Sequence, residues 1–235
     1  MSRPGLFERL AASARVTVVS APPGSGKTVL LRSWIGAAGL AGRAAWVPVE
    51  ADERDPQRFW LSVTDALRGT APGSALVRAL TAAPDLDGWA IAERLLEDLA
   101  PLRDRVWLVI DDVHELGSAE ARRQLELLLM RAPDELRVVL ATRHDVRLGL
   151  HRLRLEGQLT QLRADDLRFN IDEARALLDM AGITLSDSAL AQLHARTEGW
   201  AAGLRLAALS LAGHPDRSNV PSSFPGASAR RPRTC

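Results

Sequence analysis

Val16-Thr17-Val18-Val19-Ser20 runs directly into Ala21-Pro22-Pro23-Gly24-Ser25-Gly26-Lys27-Thr28, and the fold class follows from these residues. The first five residues are a β-branched run, the pattern of a strand, stopped by a Pro/Gly-rich turn. Beyond the turn, Leu31, Trp34 and Ile35 fall at i, i+3 and i+4. That spacing predicts a helix from near Gly26 to around Gly39. Strand, small-residue turn and helix form the context in which a phosphate-binding loop works. Small residues let successive backbone N–H groups turn inward around a phosphate, and Gly24 and Gly26 allow the backbone to approach closely. Lys27 is a point charge on a flexible stem that can reach β- and γ-phosphates, and the Thr28 hydroxyl suits Mg²⁺. The start of the helix adds its positive dipole end. Ala21 stands where the motif has its first Gly. The alternative is a chance match in a surface turn, and the flanking strand and helix weigh against it.

Composition isolates the same residue. Of thirty Lys plus Arg in the chain, Lys27 is the single lysine. Arg serves wherever a positive charge suffices, so position 27 needs an explanation specific to lysine. The 235 residues allow one or two domains, and 46% hydrophobic with 25% charged residues excludes wholesale disorder. No run reaches the roughly 18 apolar residues of a membrane span. Glu8, Arg9 and Arg15 interrupt any apolar stretch at the N-terminus, which argues against a secretory signal. The one cysteine, Cys235, excludes an internal disulfide or a cysteine-rich zinc site and points to a cytosolic (cytoplasmic) protein. Net charge is +1, but residues 213–235 hold four Arg and one Asp, which is +3 and leaves −2 for the body. A slightly acidic body offers no electrostatic footprint for nucleic acid.

Further along, Ala44–Val47 and the all-apolar Val106–Ile110 read as strands, as does Arg137–Ala141 and, more weakly, Leu159–Leu162. Asp55 followed by Pro56 predicts a capped helix through Leu67. Trp89, Ala92, Leu96 and Leu99 mark another helix closed by Pro101, and Leu125, Leu128 and Leu129 share one face of a helix over 119–131. Apolar strands alternating with helices indicate a parallel α/β sheet covered on both faces. After about residue 166 the strands stop. Asn170 and Glu173 have the spacing of a capping box, Ser186 can cap a second helix, and Thr197 can cap a third carrying Trp200 and Leu204.

Val106–Ile110 delivers Asp111 and Asp112 to the C-terminal edge of the sheet, where ligands sit in open α/β folds. Asp111 is the candidate Mg²⁺ ligand beside Thr28, and Asp112 the candidate group to orient or deprotonate an attacking water. A capping acid at a strand end is the plainer alternative. Arg143, after the Arg137–Ala141 strand, is either a γ-phosphate sensor or one solvated arginine among twenty-nine. His114 is expected to hydrogen-bond within its loop rather than act in catalysis.

Several stretches together resemble a known family. They are Arg3-Pro4-Gly5-Leu6, the loop through Thr28, Trp46, Glu50 to Trp60, Val109 to His114, Leu153 to Leu159, Asp166-Leu167-Arg168-Phe169 and Thr197 to Leu204. The match is to the ATPase module of the large MalT-type, LuxR-like bacterial transcriptional regulators, within the STAND class of P-loop NTPases. This resemblance, over about residues 3–212, implies an ATP-driven switch rather than a metabolic enzyme. ATP or ADP with Mg²⁺ is the expected cofactor set, and the short reach of Asp112 leads to an expectation of slow hydrolysis. It also implies nucleotide-controlled self-association or association with full-length relatives, and a helical domain that closes over the nucleotide. Arg3 to Leu6 and Gly199 to Leu204 would lie near the adenine, and one strand would separate the Asp111 strand from the loop strand.

The expected organisation is a P-loop NTPase domain over 1–166, as a three-layer parallel sheet sandwich, a helical lid over 167–212 and a disordered basic tail over 213–235. Family members carry a repeat sensor and a C-terminal helix-turn-helix, neither of which this sequence shows, so the chain reads as cut off after the lid. The tail arginines can give weak, salt-sensitive attachment to DNA but no base readout, so sequence-specific DNA binding is not expected, nor is a membrane partner. The competing expectation is a nucleotide-stabilised interaction protein without significant turnover.

Overall fold

A computed structural model of the chain describes residues 3–51, 53–79, 87–145 and 148–212. The tail expected to be disordered lies outside them. The described residues form two compact units, one within 3–23 and 27–164, the other made of 24–26 and 165–212.

The first unit is built on five parallel strands: β1 (Val16–Ser20), β2 (Ala44–Pro48), β3 (Val106–Asp111), β4 (Leu136–Thr142) and β5 (Leu159–Arg163). Their order is β2-β3-β4-β1-β5. The strand bearing Asp111 is therefore separated from the loop strand by one neighbour. Around the sheet run α1 (Pro4–Ala11), α2 (Lys27–Ala37), α3 (Pro56–Arg68), α4 (Ala71–Leu76), α5 (Gly88–Leu99), α6 (Ala119–Arg131) and α7 (His151–Leu155). Asp55 caps α3 as its sequence predicts, its side chain accepting from the Gln57 N–H. Three of these helices went unanticipated. One is α1, only eight residues long with Pro4 at its start. Another is α4, capped by Thr70, whose hydroxyl accepts from the Gly73 N–H. The third is α7, five residues long.

Strand residues alternate between faces, and both faces are apolar. Val16, Val18, Leu108, Ile110, Val138 and Leu140 join the α3, α5 and α6 side chains in one core cluster. The intervening Val19, Val109, Val139 and Ala141 are buried as well. On their face Trp107 meets Trp34 of α2 edge-on, ring centres 6.1 Å apart. This double burial is why the strands read as continuous apolar runs rather than alternating ones.

A single-turn helix of four residues that the sequence did not announce, α8 (Ala164–Leu167), leads into α9 (Ile171–Met180), α10 (Asp187–Thr197) and α11 (Ala201–Ala212). Their core is Leu178, Ile183, Leu190, Leu193, Leu204 and neighbours. The capping box is complete: the Asn170 side chain accepts from Glu173 N–H, and Glu173 accepts from Asn170 N–H. Ser186 caps α10 through the Ala189 N–H. Thr197, however, caps nothing. It is the last residue of α10, and its hydroxyl donates back to the Leu193 carbonyl at 2.9 Å. The left-handed turn at Glu198 and Gly199 ends that helix before α11 begins. Among the described residues no helix is long and apolar enough to cross a membrane.

Candidate nucleotide site

The register brings the C-terminal ends of β1, β3 and β4 to one edge. Ser20 pairs with Thr142, and Ile110 pairs with Leu140 one step before Asp111. The loop that follows β1 turns through positive φ at Gly24 (76°) and Gly26 (83°), a region costly for any residue with a Cβ. Ser25 is buried at its tip. Lys27 opens α2 and folds back under the loop, its ammonium donating to the Ala21 carbonyl at 2.7 Å and the Pro22 carbonyl at 3.3 Å. Two of its three donors are thus used to hold the stem, which leaves one for a ligand. Burial pulls the Lys27 ammonium below its usual range, opposed by the charges of Asp112 and Asp111.

Thr28 donates its hydroxyl to Asp111 Oδ2 at 2.9 Å, and the Asp112 N–H donates to Asp111 Oδ1 at 3.1 Å. Asp111 is only 5% exposed. Burial raises its carboxyl above the ordinary carboxylate range, against the lowering effect of the Thr28 hydrogen bond. Two hard oxygen donors, Thr28 on the first turn of α2 and Asp111 at the end of β3, suit Mg²⁺.

Asp112 adopts left-handed backbone (φ 56°) and starts a 3₁₀ turn over Val113–Glu115. This turn folds Asp112, His114 and Glu115 around Arg143, which follows β4. Arg143 Nε lies 3.7 Å from Asp112 Oδ1, and Nη1 lies 3.9 Å from Glu115 Oε1. The His114 ring faces the same two oxygens, Nδ1 at 3.8 Å from Asp112 and Nε2 at 3.2 Å from Glu115. Neither ring nitrogen completes a hydrogen bond, which corrects the expected loop-bonding role. The ring is instead packed edge-on against His144, centres 5.2 Å apart, and burial lowers its basicity first.

The structure thus brings together Lys27, Thr28, Asp111, Asp112 and Arg143, with the Ala21 and Pro22 carbonyls. Sequence reasoning missed Glu115 and His144. Neither belongs to a motif, and only the turn after Asp112 and the pairing of β3 with β4 bring Glu115 to Arg143 and His144 to His114.

The family described as Novel STAND NTPase 1 matches residues 3–178. The chain belongs to this family. As a STAND NTPase module it is 31% identical over 218 residues to the serine/threonine-protein kinase PknK of Mycobacterium tuberculosis, covering 91% of this chain and 20% of that protein. It is 30% identical over 215 residues to the HTH-type transcriptional regulator MalT of Serratia proteamaculans, covering 88% of this chain and 23% of MalT. The chain therefore spans about a fifth of the length of the curated relatives it matches. A Signal Transduction ATPase with Numerous Domains from Pyrococcus horikoshii, with a tetratricopeptide repeat sensor, shares the fold. The TM-score is 0.60 at 19% identity, over 88% of this chain and 29% of that one. The MalT-like resemblance carried by the sequence motifs and the P-loop α/β fold class both stand.

Proposed function

We propose that this STAND module binds ATP and ADP with Mg²⁺ and hydrolyses ATP slowly, as a cytoplasmic signalling switch of the kind found in regulators related to MalT and PknK. The observation that carries this reading is the 2.9 Å hydrogen bond from Thr28 to Asp111, which joins the loop helix to the acidic strand. In this reading the backbone of Ala21 to Thr28 wraps the phosphates and Lys27 reaches the β- and γ-phosphates. Thr28 and Asp111 hold Mg²⁺, whose contribution is to neutralise phosphate charge. Asp112 accepts the proton of the water that attacks the γ-phosphorus, the bond to the bridging oxygen breaks, and ADP leaves with the electron pair. Arg143 stabilises charge on the transferred phosphoryl group. An Asp base is short, and Arg143 lies beside it, which together favour slow turnover.

Calorimetry with Mg²⁺ on the native chain and on Lys27→Ala tests the reading. Tight ATP or ADP binding that the variant loses supports it. A folded native chain that binds neither would sink it.

A second reading is an interaction protein that holds nucleotide for structure and associates with itself or with longer relatives. Leu206 (52% exposed) and Leu209 (62%), three residues apart on α11, leave adjacent apolar side chains exposed, a surface that association would cover. Nucleotide binding without measurable phosphate release, together with nucleotide-dependent association in sedimentation, would favour this alternative.

A further inference from the structure

Arg143 and His114 are each held between the same two carboxylate oxygens, Asp112 Oδ1 and Glu115 Oε1, at 3.2 to 3.9 Å. The four groups close a ring in which acidic and basic members alternate. His114 is nearly enclosed (6% exposed), whereas Arg143, Asp112 and Glu115 keep 44%, 37% and 29% exposure. The guanidinium is therefore the member of the ring free to reorient. It engages Asp112 through Nε and Glu115 through Nη1 without a close hydrogen bond to either. A γ-phosphate arriving at the loop brings negative charge that draws on this same cation.

We propose that Glu115 is a positioning residue that acts through Arg143 and sets how strongly the site prefers a nucleoside triphosphate over the diphosphate. The inference rests on the nucleotide-site reading above. Glu115 competes with the γ-phosphate for Arg143. When the triphosphate takes the guanidinium, Arg143 gives up its contacts with Asp112 Oδ1 and Glu115 Oε1. The diphosphate has no group that makes this demand, so its binding does not depend on Glu115. A residue that merely supported the turn would weaken both nucleotides alike.

The test is a double-mutant cycle in the full chain with Mg²⁺. ATP and ADP dissociation constants are measured for the native protein, Glu115→Gln, Arg143→Ala and the double variant, with thermal melting to confirm that each is folded. Half-exposed ion pairs of this kind are worth roughly 0.2–1 kcal/mol. Glu115→Gln is therefore expected to tighten ATP relative to ADP by about 1.4- to 5-fold with ADP affinity unchanged, and Arg143→Ala is expected to abolish that gain. An unchanged ATP/ADP ratio in Glu115→Gln overturns the proposal. So does a gain that persists without Arg143, because Glu115 would then act as a simple repulsive charge. A native chain that binds neither nucleotide fails differently: it removes the nucleotide site itself.

Discussion

Thr28 and Asp111, 83 residues apart in sequence, share a 2.9 Å hydrogen bond from Oγ1 to Oδ2. One sits on the first turn of α2, the other at the end of β3, and β4 lies between β3 and the strand that feeds α2. The bond holds a largely buried carboxylate in place by giving it a donor, and only partly offsets the cost of burying its charge.

That cost predicts a trade of stability against function. Because the folded Asp111 carboxyl is raised, the native state binds its proton more tightly than the unfolded chain does. Stability from this group is greatest below the ordinary carboxylate range and is lost as pH rises through the raised folded value. Asp111→Asn should remove the loss, stabilising the nucleotide-free protein near neutral pH by about 1 kcal/mol while weakening Mg²⁺-dependent ATP binding. Melting from pH 4 to 8 checks the first effect and calorimetry the second. A variant less stable than the native chain at pH 7 would contradict the assignment.

Lys27→Met keeps most of the stem and removes the cation. The substitution should lower affinity for both ATP and ADP about ten- to hundredfold, the scale of a lost charge-assisted hydrogen bond. Stability should fall by about 1–2 kcal/mol, because the Ala21 and Pro22 carbonyls lose this donor, a cost only partly offset by no longer burying the ammonium. Titration calorimetry with each nucleotide measures this, and an affinity within twofold of native would exclude Lys27 from phosphate binding.

At the opposite edge of the sheet, Arg15 is 5% exposed and donates to the Leu129 carbonyl at 2.6 Å and to Gln158 Oε1 at 3.0 Å. It supplies donors to the C-terminal end of α6, where carbonyls lack helical partners. Arg15→Met should cost about 2–4 kcal/mol of unfolding free energy without altering nucleotide affinity in the protein that remains folded. Urea titration gives the first quantity; an affinity change would show the two edges to be coupled.

Gly199 has φ +69°, and a Cβ there would lie 2.2 Å from the Phe169 carbonyl oxygen. The Phe169 N–H also donates to the Gly199 carbonyl at 2.9 Å. Gly199→Ala should destabilise the helical unit by about 2 kcal/mol or more. Hydrogen exchange should show faster opening across α9 to α11 while β1, β3 and β4 amides keep their protection. Equal loss of protection in the sheet would mean that the two units unfold together.

Elements set by local chemistry were legible from residue order. The helix over 119–131, the strands opening at Val16 and Val106 and the Asn170 capping box all rest on side-chain periodicity or on bonds within three residues. Thr197 was misleading for a local reason too. A Thr ahead of an apolar helical pattern fits an N-cap, but it fits equally the last turn of the helix before. The fit of Gly199 against the Phe169 backbone selects the second. The short α1 and α4 carry too few turns for periodicity to declare them.

Residue order was enough for the parallel α/β class, the candidate phosphate loop with its single lysine, and the acidic pair at a strand end. These follow from steric demands of glycine, from capping chemistry and from the burial of both faces of the sheet. The order of the strands, which Asp111 oxygen meets Thr28, and the sharing of the Asp112 and Glu115 carboxylates between Arg143 and His114 came from tertiary packing alone. Those contacts join residues that neither period nor motif connects, because they depend on the register of β3 against β4 and on the left-handed turn at Asp112.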